Sequence, residues 1–206
     1  LVMIDESTGE KYARAVSRKG TQDQDWVLLD IVEELKTWGY TGGVAGHIIL
    51  TCDNEPAIKA VREAVGKLLG GKVVPDCPPK GESQSNGRVE EAGRTIRGFL
   101  RVMLNQLEEG AKIKLESKDP ILQWLVRWSA MVPSRFLAGK DGKTPFEKRR
   151  GRKCEIKTEK FGEMVWYKEL RSKTENKTRW KQRGKKACGW ATPRTPMKSS
   201  SGIGVV

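Results

Sequence analysis

The sequence predicts an α/β core followed by a basic C-terminal extension. Three observations carry that expectation. Apolar runs of strand length, such as Ile48-Ile49-Leu50-Thr51-Cys52, show no helical period; longer segments repeat apolar residues every three or four positions; and Gly/Pro-rich breaks separate the two kinds of segment. With 206 residues the chain can hold one good core and a small second unit.

Taken in order, Leu1 to Ile4 and Lys11 to Val16 read as two strands joined by Asp5-Glu6-Ser7-Thr8-Gly9-Glu10, a hairpin with Gly near its turn. Asp25 to Trp38 then places Leu28, Ile31, Val32, Leu35 and Trp38 at helical spacing, with an acidic residue at its start and Gly39 after it. The Ile48 run is the next strand, entered through His47. It ends at Asp53-Asn54-Glu55-Pro56, where Pro56 suits the first turn of a helix that extends to Leu69 and stops at Gly70-Gly71. Asp53 thus falls at the carboxyl end of a buried strand, the end at which open α/β sheets build their sites.

The stretch from Lys72 to Leu107 organises the chain. It reads as a short strand (Lys72 to Val74), a surface loop (Pro75 to Gly87) whose prolines and glycines exclude regular structure, and a long helix. Val89, Ala92, Ile96, Phe99, Leu100, Met103 and Leu107 form the apolar stripe of that helix, while Arg94, Arg97 and Arg101 recur on another face. Ser85 or Asn86 is the expected cap. Glu90 lies in the first turn, where it either complements the helix dipole or serves a site. Asp53 and Glu90 together match the ligand supply of a hard divalent cation, which takes one or two protein carboxylates and keeps other positions for water and phosphate oxygens.

Asp53-Asn54-Glu55-Pro56-Ala57, followed by Ser83-Gln84-Ser85-Asn86-Gly87-Arg88-Val89-Glu90 with 36 residues between Asp53 and Glu90, resembles the second and third acidic positions of the retroviral and retrotransposon integrase core. The resemblance covers roughly Leu1 to Lys168. It implies an RNase H-like mixed sheet flanked by helices, and an Asp, Asp, Glu triad binding two Mg²⁺ or Mn²⁺ ions. It also implies metal-dependent polynucleotidyl transfer with DNA (element ends and target DNA) as partner, a homo-oligomer within an integration complex, and passage from a cytoplasmic particle to the nucleus.

On this template the first catalytic Asp lies on the first strand of the sheet, and two more strands precede the first helix. This chain has only two strands there, so "LVMIDESTGEKYARAV" aligns with the second and third, the first Asp lies upstream, and Asp5 is a turn residue. The alternative makes Asp5 that Asp, on a sheet short of one strand. A chain starting at Leu1 in an apparent strand reads as a fragment of something longer. By motif match Asp53 and Glu90 are the candidate catalytic and metal-binding residues. Gln84 and Asn86 in the loop, with Arg94, Arg97 and Arg101, are candidate nucleic-acid contacts.

Further along, Pro120 opens a helix with Ile121, Leu122, Trp124, Leu125, Trp128 and Met131 on its apolar face and Pro133 near its end. Trp124 and Trp128, one turn apart, are expected in the core rather than as a stacking platform for bases. From Gly139 the composition changes to Gly-rich and charged. Leu1 to Gly139 carries no net charge, whereas Lys140 to Lys186 carries +11. A basic excess of that size marks a polyanion binder, because each phosphate neutralised releases counterions. Lys148, Arg149, Arg150, Arg152 and Lys153 suit a phosphate-contacting arm or a nuclear localisation signal. Lys143-Thr144-Pro145, Gly151-Arg152-Lys153 and Phe161-Gly162 resemble the region after the core in copia-type LTR retrotransposon polyproteins.

The domains expected are therefore 1–139, a core lacking its first strand; 140–186, a basic linker and the start of a small β unit, with "FGEMVWYKEL" as a strand; and 187–206, a tail without strand pattern. Read one base earlier, codons for Ala187 to Ala191 can give Gly-Val-Trp-Leu-Gly, so the tail is expected to be a frameshift product. Codons unable to yield those residues would exclude it. The four cysteines show no C-x-x-C spacing and His47 is the lone histidine, which disfavours a zinc site and makes reduced thiols the default. No stretch approaches 18 apolar residues and no signal peptide is visible. Two other functions remain in view: a non-catalytic nucleic-acid-binding remnant, and an RNase H-like transposase or nuclease of another family.

Overall fold

The computed structural model describes residues 1–17, 20, 25–40, 48–70, 73–76, 87–156, 158–168 and 184–188. The chain order is β1 (Val2–Ile4), β2 (Lys11–Ala13), α1 (Asp25–Thr37), β3 (Ile48–Thr51), α2 (Pro56–Leu69), β4 (Val73–Asp76), α3 (Gly87–Ala111), α4 (Pro120–Phe136), α5 (Pro145–Arg150), β5 (Met164–Lys168) and β6 (Gly184–Cys188). The architecture is mixed α/β. Two units divide it, Leu1–Glu155 and Ile156–Val206.

In the first unit β1 and β2 form an antiparallel hairpin, with Ile4 opposite Lys11, while β3 and β4 run parallel, with Ile48 opposite Val73. The expected single mixed sheet is thus present as two separate ladders; among the described residues no strand pairs with both. They are nevertheless held by one core. Tyr12 of β2, Ile48 of β3, Val65 and Leu69 of α2 and the Val27, Leu28, Ile31, Val32, Leu35 stripe of α1 form one buried cluster, against which Leu1, Met3, Leu50 and Val73 pack. The opposite face of the hairpin meets α3 and α4 through Ala13, Ile96 and Ala130, with Val2 and Val126 beside them. Alternation along β1 and β2 therefore feeds two cores: Met3 and Tyr12 point to α1, Val2 and Ala13 to α3 and α4.

Helix ends follow their punctuation. Pro56 and Pro120 occupy the first turns of α2 and α4, where a missing N–H costs nothing, and Gly70 ends α2 with φ 61°, a left-handed conformation that a side chain resists. Pro133 sits inside α4, close enough to its end that the helix closes at Phe136. Ser134 turns its hydroxyl back to the carbonyl of Ala130 at 2.9 Å and accepts the Lys11 amide at 2.9 Å, which satisfies a β2 donor from the neighbouring helix.

Two expectations about α3 and α4 change. Trp128 is buried but Trp124 is 43% exposed, because the buried face of α4 runs through Leu125, Trp128, Ser129, Ala130 and Pro133 and leaves Trp124 at its rim. Val89 likewise lies outside the contact, at 38% exposure. Strand β4 runs on through Pro75 and Asp76, which the sequence assigned to the loop; among the described residues it pairs on one side only, and such an edge tolerates proline.

Composition put the core boundary at Gly139. The first unit instead runs to Glu155 and includes α5. Thr144 caps α5 by accepting the Glu147 amide at 3.1 Å while the Glu147 carboxylate accepts the Thr144 amide at 2.8 Å, and Gly151 closes the helix with φ 67°. Thr144, Pro145 and Phe146 are buried and α5 packs against α4. In the second unit β5 and β6 pair antiparallel, with Met164 opposite Cys188. The strand thus continues through Ala187 and Cys188, beyond the point at which the sequence lost its pattern; the rest of the tail lies outside the described residues.

Candidate functional site

Asp53 follows β3 at the carboxyl edge of the parallel pair, exposed, with one carboxylate oxygen accepting the Asn54 amide at 2.6 Å. The same edge carries a residue that the sequence reading passed over. Asp76, the last residue of β4, accepts from the Thr51 hydroxyl at 3.1 Å through its side chain, and its carbonyl takes Arg62 Nη1 at 2.9 Å. Its signal was available: an acidic residue directly after an apolar strand, as with Asp53.

Glu90 is exposed in the first turn of α3, and no hydrogen bond or ion pair engages its carboxylate among the described residues. That turn is fixed by Arg88, whose Nη1 donates to the Glu6 carbonyl at 2.8 Å and ties α3 to the β1–β2 turn. Arg94, Arg97 and Arg101 are all exposed along α3. Gln84 and Asn86, together with the expected cap Ser85, lie outside the described residues, as does His47.

Asp5 sits at the turn after β1 and is buried, at 7% exposure. One oxygen accepts the Ser7 amide at 3.0 Å, the Ser7 hydroxyl at 2.8 Å and the Tyr40 hydroxyl at 3.2 Å; the other accepts the Thr8 hydroxyl at 2.6 Å. Burial pushes its carboxyl pKa up, but the hydrogen bonds from Thr8, Ser7 and Tyr40 outweigh burial and hold it below the usual carboxylate value. Both oxygens serve the hairpin turn. Among the described residues no group of three or more His, Cys, Asp or Glu side chains is arranged to hold a metal. Asp53 and Glu90 carry exposed hard carboxylate oxygens, the donor type that Mg²⁺ or Mn²⁺ takes, with one Asp53 oxygen engaged by the Asn54 amide.

The basic run divides. Lys148, Arg150, Arg152 and Lys153 are exposed, whereas Arg149 points inward. Its Nε and Nη2 meet the two oxygens of Glu10, the latter at 2.8 Å, and its Nη1 donates to the Thr37 carbonyl at 2.6 Å. Burial lowers the Arg149 pKa and raises that of Glu10, in each case against the pull of the partner charge. A second network lies under α4. Asp30 takes Tyr12 Oη, Arg14 Nε at 2.5 Å and Arg127 Nη1 at 2.9 Å, and Arg127 Nη2 reaches Glu34 at 3.3 Å. Both networks are structural, joining β2, α1, α4 and α5.

Among known proteins, no family model and no curated sequence matches this chain. Solved structures do. A chain of the simian T-cell lymphotropic virus intasome in complex with PP2A regulatory subunit B56 gamma is similar over 90% of this chain and 61% of that one, at 14% identity and a TM-score of 0.51. The catalytic core domain of BIV integrase is similar over 72% of this chain and 82% of its own, at 20% identity and a TM-score of 0.45. At these identities the likeness concerns the fold. This chain spans less than two thirds of the intasome chain.

Proposed function

We propose that this chain is the catalytic core of a polynucleotidyl transferase that joins DNA ends to target DNA, an integrase of the copia-type LTR retrotransposon class with an RNase H-like fold. One observation carries the reading: the two acidic residues of the motif stand exposed and without ion-pair partners among the described residues, Asp53 past the end of β3 and Glu90 in the first turn of α3. Fold likeness to an intasome chain supports it.

Asp53 and Glu90 would hold Mg²⁺ or Mn²⁺, which when bound activates a water or a DNA 3′-hydroxyl and offsets charge on the phosphodiester. Arg94, Arg97 and Arg101 would contact phosphates, as would Lys148, Arg150, Arg152 and Lys153, and the Gln84 to Gly87 loop would approach DNA. The third carboxylate would come from a further strand placed between the two ladders. The full assembly would be a homo-oligomer acting in the nucleus.

A second reading, a nucleic-acid-binding remnant without catalysis, is favoured by one observation: Asp5 spends both oxygens on its own turn. Mg²⁺- or Mn²⁺-dependent strand transfer on a labelled DNA end separates the readings, using this chain and the same chain carrying the residues encoded upstream of Leu1. Activity in the extended chain alone, abolished by Asp53→Asn and Glu90→Gln, is the expected result. Activity in the short chain would return Asp5 to the site, and silence in both would leave DNA binding alone.

A further inference from the structure

The five cations from Lys148 to Lys153 look equivalent in sequence, yet one of them is built into the core. Arg149 is the inward residue of α5, with a side chain 14% exposed against a Glu10 side chain 9% exposed. Its guanidinium touches two elements distant in sequence: the two-pronged pair with Glu10 at the start of β2, and the hydrogen bond to the Thr37 carbonyl in the last turn of α1. That carbonyl is one of those a helix leaves unpaired at its negative end, where a guanidinium is favoured. Alongside, the Pro145 ring lies against Gly9 in the hairpin turn, where an added Cβ would meet Pro145 Cγ at 3.8 Å. Lys148, Arg150, Arg152 and Lys153 flank this contact and are exposed, with Lys148 also paired to the surface carboxylate of Asp141 at 3.0 Å.

We propose that Arg149 is the positioning residue of the basic run: through Glu10 and Thr37 it latches α5 to the β1–β2 hairpin and α1, so that the four exposed cations are presented to a nucleic-acid backbone as one fixed set, while Arg149 itself touches no phosphate. The inference rests on the polyanion-binding reading above. It reverses the role that composition gives Arg149, and it makes Glu10, an acidic residue, necessary for binding an anion.

That reversal supplies the test. Binding of a DNA duplex is measured by fluorescence anisotropy over a series of salt concentrations for the wild type, Glu10→Gln, Arg149→Gln, Arg149→Lys and Arg150→Gln, at a temperature where each remains folded. Amide exchange of Lys148 and Gly151, whose N–H groups bond to Thr144 and Glu147 within α5, is followed in parallel. Removing a negative charge should tighten DNA binding if electrostatics act alone. The latch predicts that Glu10→Gln weakens it, about threefold, as Arg149→Gln does, with both variants speeding α5 exchange and neither changing the slope of log Kobs against log salt. Arg150→Gln should lower that slope by about 0.9 and leave exchange unchanged. Arg149→Lys, which keeps the charge and loses the two-pronged geometry, should fall between, and it serves if Arg149→Gln does not fold. A wild type that binds while Glu10→Gln binds equally or more tightly would overturn the proposal, as would a slope lowered by about 0.9 in Arg149→Gln. A wild type that shows no salt-dependent binding would overturn the polyanion reading and this role with it.

Discussion

Asp30 ties three elements of the core unit together, and replacing it with Asn removes the charge while keeping the shape. Its carboxylate receives Tyr12 Oη, Arg14 Nε at 2.5 Å and Nη2 at 2.8 Å, and Arg127 Nη1 at 2.9 Å. Burial alone would raise its pKa; the hydrogen bonds from Arg14 and Tyr12 and the charge of Arg127 more than reverse this and hold it at about 2. Against an unfolded carboxyl at about 3.9, that depression corresponds to roughly 2–3 kcal/mol of stability at neutral pH. The side chain keeps 17% exposure, so solvent screening trims the figure to about 1–2 kcal/mol. Asp30→Asn also leaves Arg14 half-buried without its carboxylate, which brings the expected loss to about 2 kcal/mol, or roughly 4–8 °C in Tm. Because the unfolded carboxyl takes up its proton first as pH falls, the Asp30 contribution is complete above the unfolded pKa and fades as pH drops toward about 2. Urea unfolding of wild type and Asp30→Asn at neutral pH and down an acid series measures both effects. Equal stability at neutral pH, or a gap that persists undiminished at the acid end, would refute the account.

Other expectations are simpler. Leu125 is fully buried, so Leu125→Ala should cost roughly 3–5 kcal/mol in a urea titration, from the lost transfer energy and the cavity left behind. Thr144→Ala removes half of a reciprocal cap and should cost about 1 kcal/mol, with faster exchange of the Glu147 amide, while a Thr144→Ser variant should behave as wild type.

Much of the fold was legible because its punctuation is local. Pro56, Gly70 and Pro120 announce helix ends by chemistry that needs no neighbour, and the short continuous apolar run at Ile48 and the three-to-four spacing around Ile96 fix strand and helix. Asp53 and Glu90 could be located on their elements for the same reason, Asp53 two residues past the end of β3 and Glu90 within the first turn of α3. What was not legible depends on contacts distant in sequence. A one-turn spacing put Trp124 with Trp128, but the width of the α4 contact is set by α3 and β2, and Trp124 lies past its edge. Periodicity counted residues that could face a core; it could not say where the partner stops. The region after Gly139 misled differently. Glycine and charge suggested a linker, although Thr144-Pro145-Phe146-Glu147 is a helix-start pattern with an apolar residue to bury.

That misreading bears on mechanism. A basic arm outside the core would have to be ordered when it meets a polyanion, and the ordering entropy would be subtracted from every phosphate contact. Lys148, Arg150, Arg152 and Lys153 belong instead to the same unit as Asp53 and Glu90, on and just after a capped helix whose Phe146 is buried. The ordering cost has been met by folding. Under the proposed function, a backbone bound to these cations would be held relative to the unit that carries the two exposed carboxylates, and the cations would help determine which of its phosphodiesters those carboxylates reach. On this view the buried Glu10–Arg149 pair acts on register more than on strength: losing it should blur where a bound strand sits before it abolishes binding, because the four exposed charges that supply the attraction remain.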